Sequence, residues 1–322
     1  FTLGNGVDRA NASIFETRRQ NYKFLSRNHL TDSLSVASGI EWLEDDVTKS
    51  TSQYTQQNRT TKSAHLSTNY INEAFLTEFA VHYDDVENVA SDTTFNLGLG
   101  YRFNQNNQLS INFGEGFKAP TFNDLYFPFG GNPNLKFETS RNKEIVYKGF
   151  YDVGSLVVNL YDSEIDNLIV WIPDSNGIWA PQNIGKANIS GIDASFSISY
   201  GNYTHKITAS SISSEDAATG SQLMLRAKQH YGYDISYSGG SFDLFAQFQH
   251  VGERPDTDFQ TFMPTMLDSF TQVNFGASYS FDNEWQLKLK ITDLFDKSPT
   301  LASGYNSGGR EFYLTLVHQN LF

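Results

Sequence analysis

The sequence predicts an all-β protein, an antiparallel transmembrane β-barrel of which about fifteen strands lie in this chain. Three observations predict it. Apolar and polar residues alternate along most of the chain, the alternating segments are about ten residues or longer, and short connections alternate with long ones. Alternation gives a strand one apolar face, and about ten residues is the length that a tilted membrane strand needs. Tight turns at one end of a sheet and long loops at the other are typical of membrane barrels.

The alternation defines the strands one by one. In 94–103, Phe95, Leu97, Leu99, Tyr101 and Phe103 share one face, while Asn, Gly and Arg residues occupy the other. The segments 192–200, 273–281 and 285–291 repeat this pattern. Taken along the chain, the same criterion predicts strands at 13–29, 33–48, 61–71, 74–86, 91–103, 108–118, 138–151, 154–171, 178–200, 202–214, 222–237, 240–253, 266–281, 284–296 and 309–322.

The connections fall into two sets. The short ones are 104–107, 152–153, 201, 238–239 and 282–283, and the long ones are 49–60, 119–137, 172–177, 215–221, 254–265 and 297–308. Aromatic residues flank the short turns: Phe103, Tyr200 and Phe281 precede them, and Tyr203 and Trp285 follow them. Rings at one level of a sheet are expected to form the aromatic girdle at a membrane interface. The alternative is ordinary packing at the strand ends of a soluble β protein.

A soluble sandwich or a β-solenoid is the main structural alternative. A sandwich would bring the apolar faces of two sheets together in a dry core. The strand length and the pattern of connections favour the barrel instead. We therefore expect Leu97, Phe196, Phe275 and Leu287 to lie on an exposed apolar wall, and not together in an interior.

Composition excludes several classes of protein. The net charge of −13 argues against a nucleic-acid partner, which requires a basic surface. There is no cysteine, so disulfides and cysteine-based sites are excluded. The mean hydropathy is −0.43, and no apolar run approaches the roughly 18 residues of a membrane helix. Alternating strands average to such values even in membrane barrels. Because Phe1 begins within a pattern, we expect a processed or truncated product.

Six motifs occur in an order that resembles a known family. They are GEGFKAPTFNDLY, GNPNLKFETS, NIGKANISGIDAS, LRAKQ, ITDLFDK and GYNSGGREFYLTL, all between residue 114 and the end of the chain. Together they resemble the C-terminal part of TonB-dependent outer-membrane receptors, and most of all the cobalamin receptors among them. The resemblance implies a 22-stranded barrel with an N-terminal plug domain. We expect residues 1–322 to be the C-terminal part of such a barrel, without the plug and without the first strands.

The loop 119–137 is the first candidate binding site. It interrupts the alternation with Pro120, Pro128 and Pro133, which restrict the backbone. Its aromatic residues offer apolar surface to a bulky ligand, and they are Phe122, Tyr126, Phe127 and Phe129. The alternative is a loop that packs on itself without contacting a ligand.

The resemblance implies further ligand positions. A family threonine falls on Ser13, which keeps the hydroxyl group, and a family arginine falls on Leu225, with Arg226 adjacent. A family tyrosine falls on Phe259, which keeps the ring but loses the hydroxyl group. Trp171, Trp179 and Phe262 are additional aromatic candidates near the barrel mouth.

Polar motifs give little indication of catalysis. In a strand, His82 and Asp84 share a face while Asp85 points away, so these three side chains do not converge. Glu44, Asp45 and Asp46 have the oxygen ligands that Ca²⁺ prefers, but a solvated acidic strand end is the favoured interpretation. NSGGRE opens a strand, which is the wrong context for a phosphate loop. The prediction is no enzyme, no catalytic residue, no metal and no cofactor.

These observations predict a multi-pass protein of the Gram-negative outer membrane, in contact with its lipids. The resemblance implies that its function is the TonB-dependent uptake of a bulky, scarce nutrient, cobalamin or another corrinoid, with the TonB complex acting through a plug. One alternative is the uptake of a ferric siderophore, and another is an outer-membrane barrel enzyme or adhesin. Within the barrel wall, Leu289 is predicted to face lipid and Lys290 to face the lumen.

Overall fold

The computed structural model of the chain describes residues 14–173, 178–258, 260–281, 284–305 and 307–318. Nearly all regular structure in these ranges is extended. The elements are β1 (Phe15–His29), β2 (Leu34–Ser50), β3 (Asn58–Ile71), β4 (Phe75–Val86), β5 (Ala90–Arg102), β6 (Asn107–Lys118), α1 (Phe122–Tyr126), β7 (Glu138–Tyr151), β8 (Gly154–Pro173), β9 (Trp179–Tyr200), β10 (Tyr203–Asp216), β11 (Gln229–Gly239), β12 (Phe242–Val251), β13 (Arg254–Thr257), β14 (Pro264–Leu267), β15 (Phe270–Ser280), β16 (Trp285–Thr292) and β17 (Glu311–His318). Within the same ranges, no helix has the length and apolar character needed to cross a bilayer.

Fifteen of the strands form one sheet. Their order is β1 to β12 and then β15, β16 and β17. Each strand of this sheet therefore pairs with the strands of the same sheet that precede and follow it in the sequence. β13 and β14 pair only with each other and form a separate hairpin between β12 and β15. Because sequence neighbours are joined directly, the sheet is an antiparallel meander. The predicted sheet of about fifteen antiparallel strands is confirmed.

The chain divides into two compact units. One comprises the described residues of 1–99, 112–142 and 164–186, and the other those of 100–111, 143–163 and 187–322. In the first unit, β1 to β4 pair over nearly their whole lengths. In the second unit, β10, β11, β12, β15, β16 and β17 form a continuous run of hairpin partners.

In both units the apolar faces of the strands are exposed. Leu97 in the first unit is 38% exposed and Phe196 in the second is 40% exposed. Phe275 and Leu287 are half-buried. None of these four side chains lies in the dry interior that a sandwich requires, so the expectation of an exposed apolar wall is confirmed. The five aromatic residues that flank the short turns are exposed as well, as the girdle interpretation requires.

Buried apolar side chains lie near the long loops. In the first unit they are Val47, Tyr54, Val86, Leu125, Leu135 and Phe137, and in the second they are Ala187, Ala227, Val251, Leu267 and Val273. Most of these positions belong to the long connections or to the adjoining parts of the strands, while Val86 ends β4 before the three-residue connection to β5. The densest side-chain packing therefore surrounds the loops, and it does not form a central core beneath the strands.

One predicted strand begins later than the sequence pattern indicates. Residues 222–228 alternate like a strand, but β11 begins only at Gln229. Before it, Gln222 forms an isolated bridge to Glu215, and Leu225 has a φ angle of 59°. The backbone N–H of Leu225 donates to the carbonyl of Pro255 instead of to a sheet partner. At this position a hydrogen bond to another loop takes the place of the backbone hydrogen bonds that would pair residues 222–228 with a neighbouring strand.

Four further predicted extents are corrected. β16 ends at Thr292 and not at residue 296, because Asp293 has a positive φ angle and its N–H donates to the side chain of Asn274. The predicted connection 254–265 contains most of the hairpin β13–β14, and the predicted strand 266–281 is interrupted at 268–269. The predicted loop 119–137 contains the short helix α1.

Candidate functional site in the long loops

The loop 119–137 folds around a one-turn helix. α1 has five residues, too few to be stable alone, and a capping box holds its start. Thr121 accepts from the N–H of Asp124 at 3.1 Å, and Asp124 accepts from the N–H of Thr121 at 2.8 Å. The spacing T-x-x-D thus satisfies two donors at the helix N-terminus.

The carboxylate of Asp124 also ties the loop to a strand. This residue is buried. Its Oδ2 accepts from the hydroxyl of Thr121 at 2.7 Å, and its Oδ1 accepts from the indole N–H of Trp171 at 2.9 Å. A buried carboxylate is costly unless hydrogen bonds compensate it, and here donors from the loop and from β8 do so.

A second set of contacts joins this loop to β3 and to the connection 51–57. Arg59 donates to the carbonyl of Pro120 at 2.7 Å, and its guanidinium lies 5.5 Å from the ring centre of Phe122. The hydroxyl of Tyr54 donates to Asn123 at 2.8 Å. Burial raises the pKa of Tyr54, and it also raises the pKa of Tyr126. Both phenols therefore stay neutral over the physiological pH range, and Tyr54 remains a donor to Asn123.

The predicted aromatic residues of the loop pack in two sets of ring contacts. Phe122 and Tyr126 lie with ring centres 5.5 Å apart, and Phe127 lies 5.7 Å from Phe129 and 6.0 Å from Trp171. The backbone of Trp179 borders the same loop, because a Cβ atom at Gly130 would lie 2.5 Å from the carbonyl oxygen of Trp179. Phe129 is 71% exposed, whereas Phe122, Tyr126 and Phe127 are half-buried. The self-packed alternative therefore describes most of the loop, and Phe129 is its exposed aromatic surface.

In the second unit, three other connections are joined to one another by hydrogen bonds. We refer to 217–228, 252–269 and 293–305 as the clasped loops. Arg254 is buried and donates to the carbonyls of Thr300 and Leu301. In the opposite direction, the N–H of Ser303 donates to the carboxylate of Asp256 at 2.7 Å. Hydrogen bonds with a charged partner are stronger than neutral ones, so the β13–β14 hairpin fixes the loop that follows β16.

Apolar side chains stand exposed on the clasped loops. They are Met224, Leu225, Phe262, Met263, Met266, Phe295, Leu301 and Tyr305. All three methionines of the chain belong to this set. Methionine side chains are flexible and polarizable, and they are common at surfaces that adapt to a ligand. The backbone carbonyl of Arg226, next to the predicted Leu225, accepts from the side chain of Gln222. Ser13 and Phe259 lie outside the described residues.

We expect Arg254→Ala to loosen the clasped loops. The substitution removes the hydrogen bonds from a charged guanidinium to the carbonyls of Thr300 and Leu301, and such bonds contribute about 1.5–3 kcal/mol. Hydrogen exchange followed by mass spectrometry should show faster exchange in 297–303, and Arg226→Ala, at an exposed position, is the control. Equal protection of 297–303 in both variants would contradict this role for Arg254.

The polar motifs form pairs between side chains. His82 Nε2 lies 2.6 Å from Asp84 Oδ2, and Ser63 donates to the other oxygen of Asp84. Asp85 is exposed and lies in register with Lys62, so the three motif residues do not converge, as predicted. No group of three or more His, Asp or Glu side chains within the described ranges could hold a metal ion.

The acidic strand end differs from its prediction. Asp45 pairs with Arg19 at 2.7 Å, and Asp46 pairs with Arg18 at 2.9 Å. Both carboxylates are less than one-fifth exposed. The interpretation as a solvated acidic end is therefore wrong for these two residues. Their charges are neutralised by arginines on the neighbouring strand, which the sequence pattern of β2 alone does not reveal.

Sequence reasoning missed several residues of these loops. Tyr54 and Arg59 had no signal in the sequence, because their partners lie more than 60 positions away in the chain. Arg254 was also missed. The three methionines could have been found, since the chain has no others and they fall in two long connections or beside them.

Comparison with known proteins identifies the fold. The family model described as TonB dependent receptor-like, beta-barrel matches residues 2–294. The vitamin B12 transporter BtuB of Photobacterium profundum is 31% identical over 319 residues, which are 98% of this chain and 52% of that protein. The chain thus spans about half the length of the curated relatives it matches.

Solved structures agree with this fold. The siderophore receptor PirA from Acinetobacter baumannii superposes with a TM-score of 0.76 at 19% identity, over 95% of this chain and 55% of that one. The copper transporter OprC gives a TM-score of 0.80 at 12% identity, over 95% and 57%. The antiparallel sheet with its exposed apolar faces is thus part of a transmembrane β-barrel, and the chain belongs to the family of TonB-dependent receptor-like β-barrels.

Proposed function

We propose that this chain forms part of the barrel wall of an outer-membrane receptor that takes up cobalamin or another corrinoid. The observation that supports it is the 31% identity with a vitamin B12 transporter over 98% of the chain. Such a receptor binds and transports its ligand without making or breaking bonds in it, so the proposal includes no catalytic residue.

In the whole receptor, energy would come from the TonB complex acting on a plug domain. The chain spans about half of its curated relatives, and its motifs between residue 114 and the end resemble the C-terminal part of such receptors. We therefore propose that residues 1–322 are the C-terminal part of the barrel. The plug and the first strands would then belong to the rest of the receptor. The long loops would lie on the outer side of the membrane, where a ligand arrives, and the tight turns on the periplasmic side.

Two loop surfaces suit a large ligand. Phe129 offers an exposed ring on a loop whose remainder is fixed by Asp124 and Arg59. The clasped loops offer a larger, methionine-bearing surface around Leu225. A rigid support beneath exposed apolar groups lowers the entropy lost when a ligand binds. We propose both surfaces as ligand contacts.

A ferric siderophore is the second candidate ligand. Solved structures of a siderophore receptor and of ferric enterobactin receptors share this fold. Their identities of 19% and 16% are well below that of the B12 transporter. The corrinoid is therefore the first candidate.

Calorimetry of the full-length receptor separates the two ligands. We expect cyanocobalamin to release heat in a saturable titration and a ferric siderophore to release none. A receptor heated beforehand until it unfolds is the control for nonspecific heat. Saturable binding of the siderophore without binding of the corrinoid would overturn the proposed ligand and leave the family unchanged.

A further inference from the structure

Two adjoining cavities lie where β12 and β15 meet the clasped loops. One has a volume of about 580 Å³, and its lining includes Met266, Ser269, Thr271 and Lys297. The other has a volume of about 450 Å³ and is lined by Lys228, Gln229, His250 and Glu253, together with the same Met266 and Ser269. Because two lining residues are common to both, we treat the cavities as one crevice.

The crevice reaches the apolar side of the sheet. Tyr231, His250 and Thr271 lie opposite one another on three neighbouring strands, in one row across that side. His250 Nδ1 and Thr271 Oγ1 share a hydrogen bond of 2.9 Å, and the rings of Tyr231 and His250 stack with centres 6.0 Å apart. This row forms a polar border between the crevice and the strands.

Beyond the border, the same side of the sheet is apolar. The next rows towards the tight turns contain Tyr233, Phe248 and Val273, then Ile235, Ala246 and Phe275, then Tyr237, Leu244 and Ala277, and finally Phe242 and Tyr279. Phe248, Leu244 and Phe242 are all exposed. Below the crevice there is thus a continuous apolar column that ends in aromatic residues.

The length of this column matches one bilayer. From His250 to Phe242 the strand advances by eight residues, or about 26 Å at about 3.3 Å per residue. A strand tilted by about 35–45° then spans roughly 20 Å along the membrane normal, close to the apolar band of about 25 Å in such barrels. When Phe242 lies at the inner interface, His250 and the crevice lie at the level of the outer headgroups.

The crevice contains both lysines and carboxylates, which together suit a ligand with a phosphate group and neighbouring hydrogen-bond donors. Lys228 and Lys297 are exposed, and neither ammonium group pairs with a carboxylate anywhere in the described ranges. Each cavity also contains one carboxylate, that of Glu253 or that of Asp268. A lysine attracts phosphate, while a carboxylate accepts hydrogen bonds from hydroxyl or amine groups.

We propose that this crevice binds the headgroup of a phosphorylated lipid from the surrounding membrane, with its acyl chains along the apolar column. Lys228 and Lys297 contact the phosphate, and Glu253 and Asp268 accept from hydroxyl or amine groups of the headgroup. The apolar column of this site lies on the lipid side of the wall, while the crevice shares Met266 with the methionine-bearing surface of the clasped loops. A soluble phosphate would use the lysines but not the apolar column.

Native mass spectrometry of the full-length receptor tests this site. The detergent-solubilised receptor is mixed with phosphatidylglycerol, with diacylglycerol of the same chains, or with inorganic phosphate. We expect phosphatidylglycerol to remain bound at least about tenfold more than diacylglycerol, because each lysine near a lipid phosphate contributes about 1 kcal/mol. Inorganic phosphate should not displace the lipid.

Two double variants locate the binding. Lys228→Gln with Lys297→Gln should reduce retained phosphatidylglycerol by about tenfold. The control, Lys288→Gln with Lys290→Gln, removes two lysines from the opposite side of the sheet and should change nothing. Equal retention in both double variants, equal retention of the two lipids by the unaltered receptor, or displacement by inorganic phosphate would each overturn the proposal. Heat-modified gel mobility checks that both variants are folded.

Discussion

Leu289→Arg is expected to reduce the stability of the assembled barrel by about 2–4 kcal/mol. Leu289 is in the middle of β16, between Ala277 and Leu314 on its neighbours, and it is exposed on the apolar side. In a transmembrane barrel that side contacts acyl chains, where a guanidinium has no water to solvate it. The cost is greatest near the bilayer midplane and decreases towards either interface.

Lys290→Gln is the matched control one residue further along the same strand. Lys290 points to the other side of the sheet, with its ammonium group 5.9 Å from the ring centre of Tyr313. Replacing it by a neutral polar residue should leave stability within about 0.5 kcal/mol. The measurement is heat-modifiable gel mobility of the full-length receptor at increasing denaturant concentration. If Leu289→Arg were as stable as Lys290→Gln, the assignment of lipid and lumen faces would be reversed.

Strand faces could be predicted from the sequence because they depend on a local rule. A period of two assigns every second residue to one face, and Leu97 and Phe196 are exposed as this rule requires. The same rule failed at 222–228. These residues alternate as a strand does, but Leu225 bonds to Pro255 thirty positions away. Periodicity contains no information about a partner that another loop supplies.

The candidate site was less predictable than the strand faces, because it depends on contacts between segments that are far apart in the sequence. Composition identified the loop 119–137, and the spacing T-x-x-D is a recognisable helix start. The bond from Trp171 to Asp124, the contact of Arg59 with Pro120 and the buried position of Arg254 all join segments far apart in sequence. A single sequence does not specify such pairings, so it identified the aromatic residues but not the polar residues that hold them.

Asp124→Ala is expected to release the loop 119–137 from the strands. The substitution removes the acceptor for the N–H and the hydroxyl of Thr121 and for the indole N–H of Trp171. Losing a helix cap and leaving buried donors unpaired should lower the local free energy of opening by about 2–4 kcal/mol. Hydrogen exchange of the full-length receptor should then be about 30- to 1,000-fold faster over residues 121–132.

Two further variants separate the contributions to this effect. Trp171→Phe removes only the indole donor, so its effect should be smaller than that of Asp124→Ala, at about 1–3 kcal/mol. Asp152→Ala, at an exposed tight turn, removes a carboxylate without a comparable role and should leave the loop unchanged. If exchange over 121–132 were unaffected by Asp124→Ala, the buried carboxylate would not be what orders the loop. Phe129 would then depend on the ring packing of Phe127 and on the remaining contacts of the loop, such as that of Arg59 with Pro120.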